Sequence, residues 1–233
     1  MGSKNGGNTI LNKLFNLLEI GALLFIICAA PSTKAAADPP PQPAQNNAAA
    51  PALPPPGTYK IDRTHSFVYF GARHGIVGLV RGRFDKVTGT ITVSQDLAAC
   101  GVDVTIDTYS INTQWSERDY DLRSPAYFDV IKFPTMTYQG RGIRRVSDSS
   151  WTLDGSLTIR GVSKVVPLTF TYKGLFHHPP GEPARAAFHG TAGLKRNDFG
   201  MTRDTLGEIG PHWTGPDVEI EIDVEADEKL PAK

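Results

Sequence analysis

From Tyr59 to Glu225, apolar and polar residues trade places at almost every step, and Val218-Glu219-Ile220-Glu221-Ile222-Asp223-Val224-Glu225 shows the rhythm most cleanly. Successive side chains of an extended strand face opposite ways, so a period of two gives one face to an apolar interior and the other to water. The pattern predicts strands at 66–74, 79–84, 87–93, 101–106, 135–143, 151–159, 164–176, 185–194 and 218–226. In Val166-Pro167-Leu168-Thr169-Phe170-Thr171-Tyr172, large side chains take one face and mostly small or hydroxyl side chains the other. Short connections between one-sided strands predict an all-β antiparallel barrel of about eight strands, a size that is either filled by its own side chains or holds one small ligand.

One segment breaks the rhythm. Trp115 to Phe128 has no alternation, and Glu117, Arg118, Asp119, Tyr120, Leu122 and Arg123 fit one to two helical turns. We expect a short helix with Tyr120 or Leu122 facing inward, packed on the sheet or closing an opening.

The ends of the chain are different polymers. Lys4 and Lys13 precede an apolar run from Ile20 to Ala30, and Ala35-Ala36-Ala37 supplies small residues before Asp38. This reads as an export signal over 1–37, cleaved after Ala37. Glu19 keeps the apolar tract shorter than the ~20 residues of a spanning helix, which disfavours a retained anchor. Ile27 ahead of Cys28 disfavours lipid attachment. Residues 38–57 follow with eight prolines, no aromatic residue and Leu53 as the one large apolar group. Such a stretch buries too little to offset its ordering entropy and reads as a disordered, semi-extended linker. The domain is then expected at 58–228, with a tail at 229–233.

Charge narrows the partners. The chain balances 24 basic against 24 acidic residues, and loss of the signal leaves 21 against 23. With no global field and no dense basic cluster, nucleic acid is excluded as a partner. Loss of Cys28 leaves Cys100 alone, so the exported chain can form no internal disulfide.

No reaction chemistry is spelled out. Asp103 and Asp107 are too far apart along one strand to be a close carboxylate pair, and Ser66 beside His65 lacks a strand-to-helix elbow. His65 and His74 lie roughly 30 Å apart at strand rise and cannot share a metal through that strand. His177-His178 sit in a Pro-rich loop. We therefore expect no catalytic residues, no metal and no cofactor.

Several segments together resemble a known family. Tyr59-Lys60-Ile61-Asp62, His65-Ser66, Phe70, His74 and Gly82-Arg83-Phe84 are similar to the opening of the YceI-like family of lipocalin-like polyisoprenoid-binding proteins. Ser110-Ile111-Asn112-Thr113, Arg118-Asp119, Phe128-Asp129, Phe133-Pro134, 155–164 and 196–201 continue the likeness. The resemblance implies an extended lipocalin-like barrel, an exported periplasmic protein, and a channel that binds a polyprenol, an isoprenoid quinone or another long-chain lipid without catalysis. The alternatives are an enzyme acting on such a lipid, or an envelope interaction module with a filled barrel.

A polyisoprenoid gains about 0.8 kcal/mol for each methylene-sized unit removed from water, so an apolar tunnel suffices to bind it. The candidate lining is Val68, Phe70, Val104, Ile106, Ile111, Leu122, Phe128, Met136, Tyr138, Leu157, Ile159, Leu168, Phe170, Ile220 and Ile222. Each is also an ordinary core residue for one sheet face. His74, Arg118 and Arg196 are candidates for the mouth or a lipid head group. Arg196 alternatively pairs with Asp198, since alternation would place both on one side. A transient contact with a membrane surface and a homodimer formed through exposed strands complete the expected partners.

Overall fold

The computed structural model describes residues 53–75, 78–203 and 214–230. The expected signal peptide, most of the linker, Trp213 and the last residues of the tail lie outside them. The strands are β1 (Gly57–Ile61), β2 (Phe67–His74), β3 (Gly78–Phe84), β4 (Val87–Val93), β5 (Gly101–Asp107), β6 (Ile111–Asn112), β7 (Thr135–Arg141), β8 (Ile143–Arg145), β9 (Ser150–Ile159), β10 (Val162–Phe176), β11 (Arg185–Lys195) and β12 (Thr214–Glu228). The helix α1 (Ser116–Arg123) lies between β6 and β7.

Pairing reduces these pieces to a ring of eight staves. β1 pairs with β4 and β2 with β3, in registers such as Tyr59↔Ile91 and Val68↔Phe84, so β1 and β2 form one stave and β3 and β4 the next. β5 and β6 make the third by pairing with β4 and β3. β7, β9, β10, β11 and β12 follow in chain order, and β12 returns to β2 and β1 to close the ring. Every pairing is antiparallel between neighbours in sequence, apart from the closure itself. Among the described residues, β6 and β8 are the strands with a single paired neighbour.

The first and last staves meet at a kink. β12 pairs with β2 as far as Asp223↔Phe67 and with β1 from Ala226↔Ile61, leaving Glu225 at the break. Buried Ser66 repairs the ladder there: its hydroxyl donates to the Glu225 carbonyl at 3.0 Å and accepts from the Glu225 N–H at 3.1 Å. The serine beside a histidine is thus a structural plug.

Outside this kink stands an ion-pair network. Arg185 reaches Asp62 at 2.9 Å, Glu225 at 3.1 Å and Asp227 at 2.7 Å, and His65 Nδ1 lies 2.7 Å from Asp62. Burial pushes the Asp62 carboxyl up, but hydrogen bonds from His65 and Thr64 and the Arg185 charge hold it well below the usual range.

Alternation explains which side chains turn inward. Along β12, Val218, Ile220, Ile222 and Val224 face the lumen, while Glu219, Glu221 and Asp223 stay exposed. Two packed clusters fill the end near Gly57: Tyr59, Ile61, Val93, Tyr172 and Ala186 with their neighbours, and Cys100, Ile143, Trp151 and Leu153. Leu53 packs against both. The sequence pattern placed no strand before Ser66, because β1 spans only five residues behind a proline run.

Candidate functional site

The lumen holds an apolar cavity of about 250 Å³. Its border follows β12 from Thr214 to Val224, a path of roughly 26 Å at strand rise once the irregularity between Thr214 and Val218 is discounted. A modest volume spread over that length makes the space long and narrow. Val68, Phe70, Val104, Ile106, Leu122, Phe128, Met136, Tyr138, Leu157, Ile159, Leu168, Phe170, Ile220 and Ile222 all border it. Ile111 does not, being packed at 1% exposure in the core cluster with Phe84 and Phe199. The void also explains a burial pattern: inward-facing Phe70, Leu157, Leu168, Ile220 and Ile222 are only half-buried because they front empty space rather than a neighbour.

Small inner-wall residues let large side chains lie along the wall. A Cβ on Gly82 would fall 2.5 Å from Cζ of Phe70 and 2.7 Å from Cγ2 of Thr113. One on Gly190 would sit 3.1 Å from Leu168. Tyr138 lies over Gly155 and donates its hydroxyl to the carbonyls of Val166 at 2.9 Å and Leu153 at 3.2 Å. Burial pushes that hydroxyl up to about 12.

The helix closes the other end. Asp119, buried, accepts from the Thr113 N–H at 2.9 Å and its hydroxyl at 2.5 Å, fixing the first turn of α1 to β6. Leu122 and Phe128 then reach the cavity, while Tyr120 points to solvent.

The polar candidates do not converge. Arg196 borders the cavity at 4% exposure, and its guanidinium donates to the carbonyls of Gly215 at 3.0 Å, Met201 at 3.1 Å and Thr214 at 2.7 Å. The expected placement of Arg196 and Asp198 on one side fails, because Arg196–Phe199 form a 3-10 turn that buries the arginine and exposes the aspartate. Arg118 borders no part of the cavity; it donates twice to Thr113 at 2.8 Å, to hydroxyl and carbonyl. His74 is an exposed strand end paired with Thr214. His189, which also borders the cavity, lies 2.9 Å from Asp223 with Glu221 nearby, a cross-strand grouping between β11 and β12.

Residues 59–226 match the YceI-like domain. The chain belongs to the YceI-like family. A UPF0312 protein of Pseudomonas paraeruginosa is 36% identical over 170 residues, covering 72% of this chain and 85% of that protein. The Campylobacter jejuni YceI crystal structure superposes with a TM-score of 0.56 at 28% identity, covering 68% of this chain and 90% of that one. A polyisoprenoid-binding domain from Saccharophagus degradans superposes at 0.56 with 17% identity, over 73% and 98% of the two chains.

Within this YceI-like domain, sequence reasoning missed the glycine gaps at 82, 155 and 190 and the cavity-bordering Met201, Leu194 and Ala192. The alternation of β11 carried a signal for the last two. The glycine roles carried none, since the side chain that fills each gap comes from a neighbouring strand. Chemically, the lumen offers dispersion contacts and apolar surface, and the Arg196 guanidinium that borders it is engaged with the backbone.

Proposed function

We propose that this YceI-like protein is exported to the periplasm and sequesters or carries an isoprenoid lipid, a polyprenol or an isoprenoid quinone, with the tail held in the barrel lumen. The observation that carries this reading is the long apolar cavity bordered along β12 from Thr214 to Val224. The Saccharophagus domain of the same fold, described as polyisoprenoid-binding, supports it.

Magnitude sets the mode of binding. At the ~30 Å³ share of a liquid water, close to that of a methylene, a cavity of about 250 Å³ takes roughly eight such groups, or one to two isoprene units. At about 0.8 kcal/mol per unit, that burial roughly matches the 4–15 kcal/mol lost on association. A longer tail adds affinity only as adaptable liners such as Met136 swing aside.

Native mass spectrometry of the protein from its own host, followed by solvent extraction, tests the proposal. A bound mass in a series spaced by isoprene units is expected; a series spaced by two-carbon units, or no adduct after gentle purification, overturns it.

A further inference from the structure

The segment that closes the lumen with Leu122 and Phe128 carries a second, outward-facing set of apolar side chains. Trp115 is 55% exposed, Tyr120 79%, Tyr109 61% and Ile131 90%. Single exposed apolar residues are ordinary on a protein surface. Here they lie on α1 and on the turns before and after it, between Tyr109 and Ile131, and cations accompany this segment: Arg118 lies 5.3 Å from the Trp115 ring, Arg123 4.6 Å from Tyr109, Lys132 5.2 Å from Phe133 and Arg203 5.8 Å from Tyr127.

Among the described residues, the hydrogen bonds of Arg123 and of a fifth cation, Arg160, go to backbone carbonyls. Arg123 donates to the carbonyls of Tyr109 and Ile111, and Arg160 nearby to those of Tyr127 and Gly200. Arg118 is bonded to Thr113, whose hydroxyl relays to Asp119, and Arg203 pairs with Asp121. Five cations thus face Glu117, Asp119, Asp121 and Asp129, so charge is nearly balanced and the rings and Ile131 must supply most of any attraction. Amphipathic rings interleaved with guanidinium and ammonium groups suit the headgroup layer of a bilayer, where each side chain has an oily body and a wet tip.

We infer that the α1 end of the barrel is a docking face for a phospholipid bilayer, through Trp115, Tyr120 and Ile131, and that the lumen exchanges its guest there. The exchange part rests on the reading of the lumen as a lipid chamber; the docking part does not. Leu122 and Phe128 join the two surfaces, since the segment that would touch the bilayer also borders the cavity.

The test uses the mature chain that begins at Asp38, which lacks both the apolar leader and Cys28, with an environment-sensitive fluorophore on Ser116→Cys at this end, or on Ser149→Cys at the opposite end. Vesicles of phosphatidylcholine and phosphatidylglycerol are added. A blue shift is expected at position 116 and none at 149, and the combined Trp115→Ser, Tyr120→Ser, Ile131→Ser variant should bind vesicles at least about tenfold more weakly. Equal shifts at both positions, no shift at either, or unchanged vesicle binding by the triple variant overturns docking. Isoprenoid binding from detergent solution, read separately, should survive the triple substitution. Its absence in the parent chain would refute the lumen reading alone, leaving the docking result intact.

Discussion

The ring of Tyr138 occupies the space that a side chain at Gly155 would need, since a Cβ there would fall 2.5 Å from the Tyr138 hydroxyl oxygen. The two residues sit on paired strands, and the glycine lets the ring lie along the wall with its hydroxyl on the Val166 and Leu153 carbonyls. Gly155→Val should therefore destabilise the fold by about 1–3 kcal/mol, as overpacking of a fitted interior does. Tyr138→Leu in the same chain should recover part of that loss, because the clash partner is gone. Urea denaturation of both single variants and the double variant measures the coupling, and strictly additive losses would contradict the contact.

Arg196→Met should act on stability and leave the ligand alone. Removing the guanidinium strands three carbonyls, on Gly215, Met201 and Thr214, against a gain from no longer burying a charge. A net loss of roughly 2–4 kcal/mol is expected, visible as a lower melting temperature. Retained lipid in native spectra would separate this clamp from a head-group contact.

Stability should fall at both extremes of pH, for different groups. Burial raises the Tyr138 hydroxyl to about 12, and burial together with Glu228 raises that of Tyr59 to about 12, from 10.0. A raised group stabilises fully below its unfolded value, so urea midpoints should hold to near pH 10 and decline toward pH 12. Tyr138→Phe should flatten that decline. At the acid end, Asp62 titrates below its ordinary 3.8, so its contribution is present above that value and lost as pH falls beneath it. Asp62→Asn should lower stability at neutral pH and weaken the acid dependence.

Filling the lumen should block its guest without unfolding the barrel. Ile222→Trp places a ring into space that Ile222 already borders. Bound lipid extracted per protein should drop at least about tenfold, equal to 1.4 kcal/mol or more, with the circular dichroism spectrum unchanged. Undiminished lipid would move the guest elsewhere.

The hidden face of the barrel was legible because alternation is local: Val218 to Val224 declares its inward side with no help from the rest of the chain. That is why Val68, Phe70, Ile220 and Ile222 could be named as facing the lumen. Ile111 escaped the pattern because β6 is two residues long and the 3-10 turn at Thr108–Ser110 ahead of it resets which way the side chains face. Arg196 was legible as unusual but not as a clamp. Its carbonyl partners lie 5, 18 and 19 residues onward, and backbone acceptors have no sequence signature. The kinks at Ser66 and at Asp85-Lys86, which divide single staves into separate strands, arise only when three-dimensional closure bends them.

The seam where the barrel shuts has a mechanical side. β1 is gripped on both flanks, by β4 from Gly57 to Lys60 and by β12 from Tyr59 to Ile61. A tug on the chain ahead of Gly57 would load those two rows of hydrogen bonds lengthwise and together instead of peeling them one at a time. The barrel is therefore built to stay shut when it is held by its leading end.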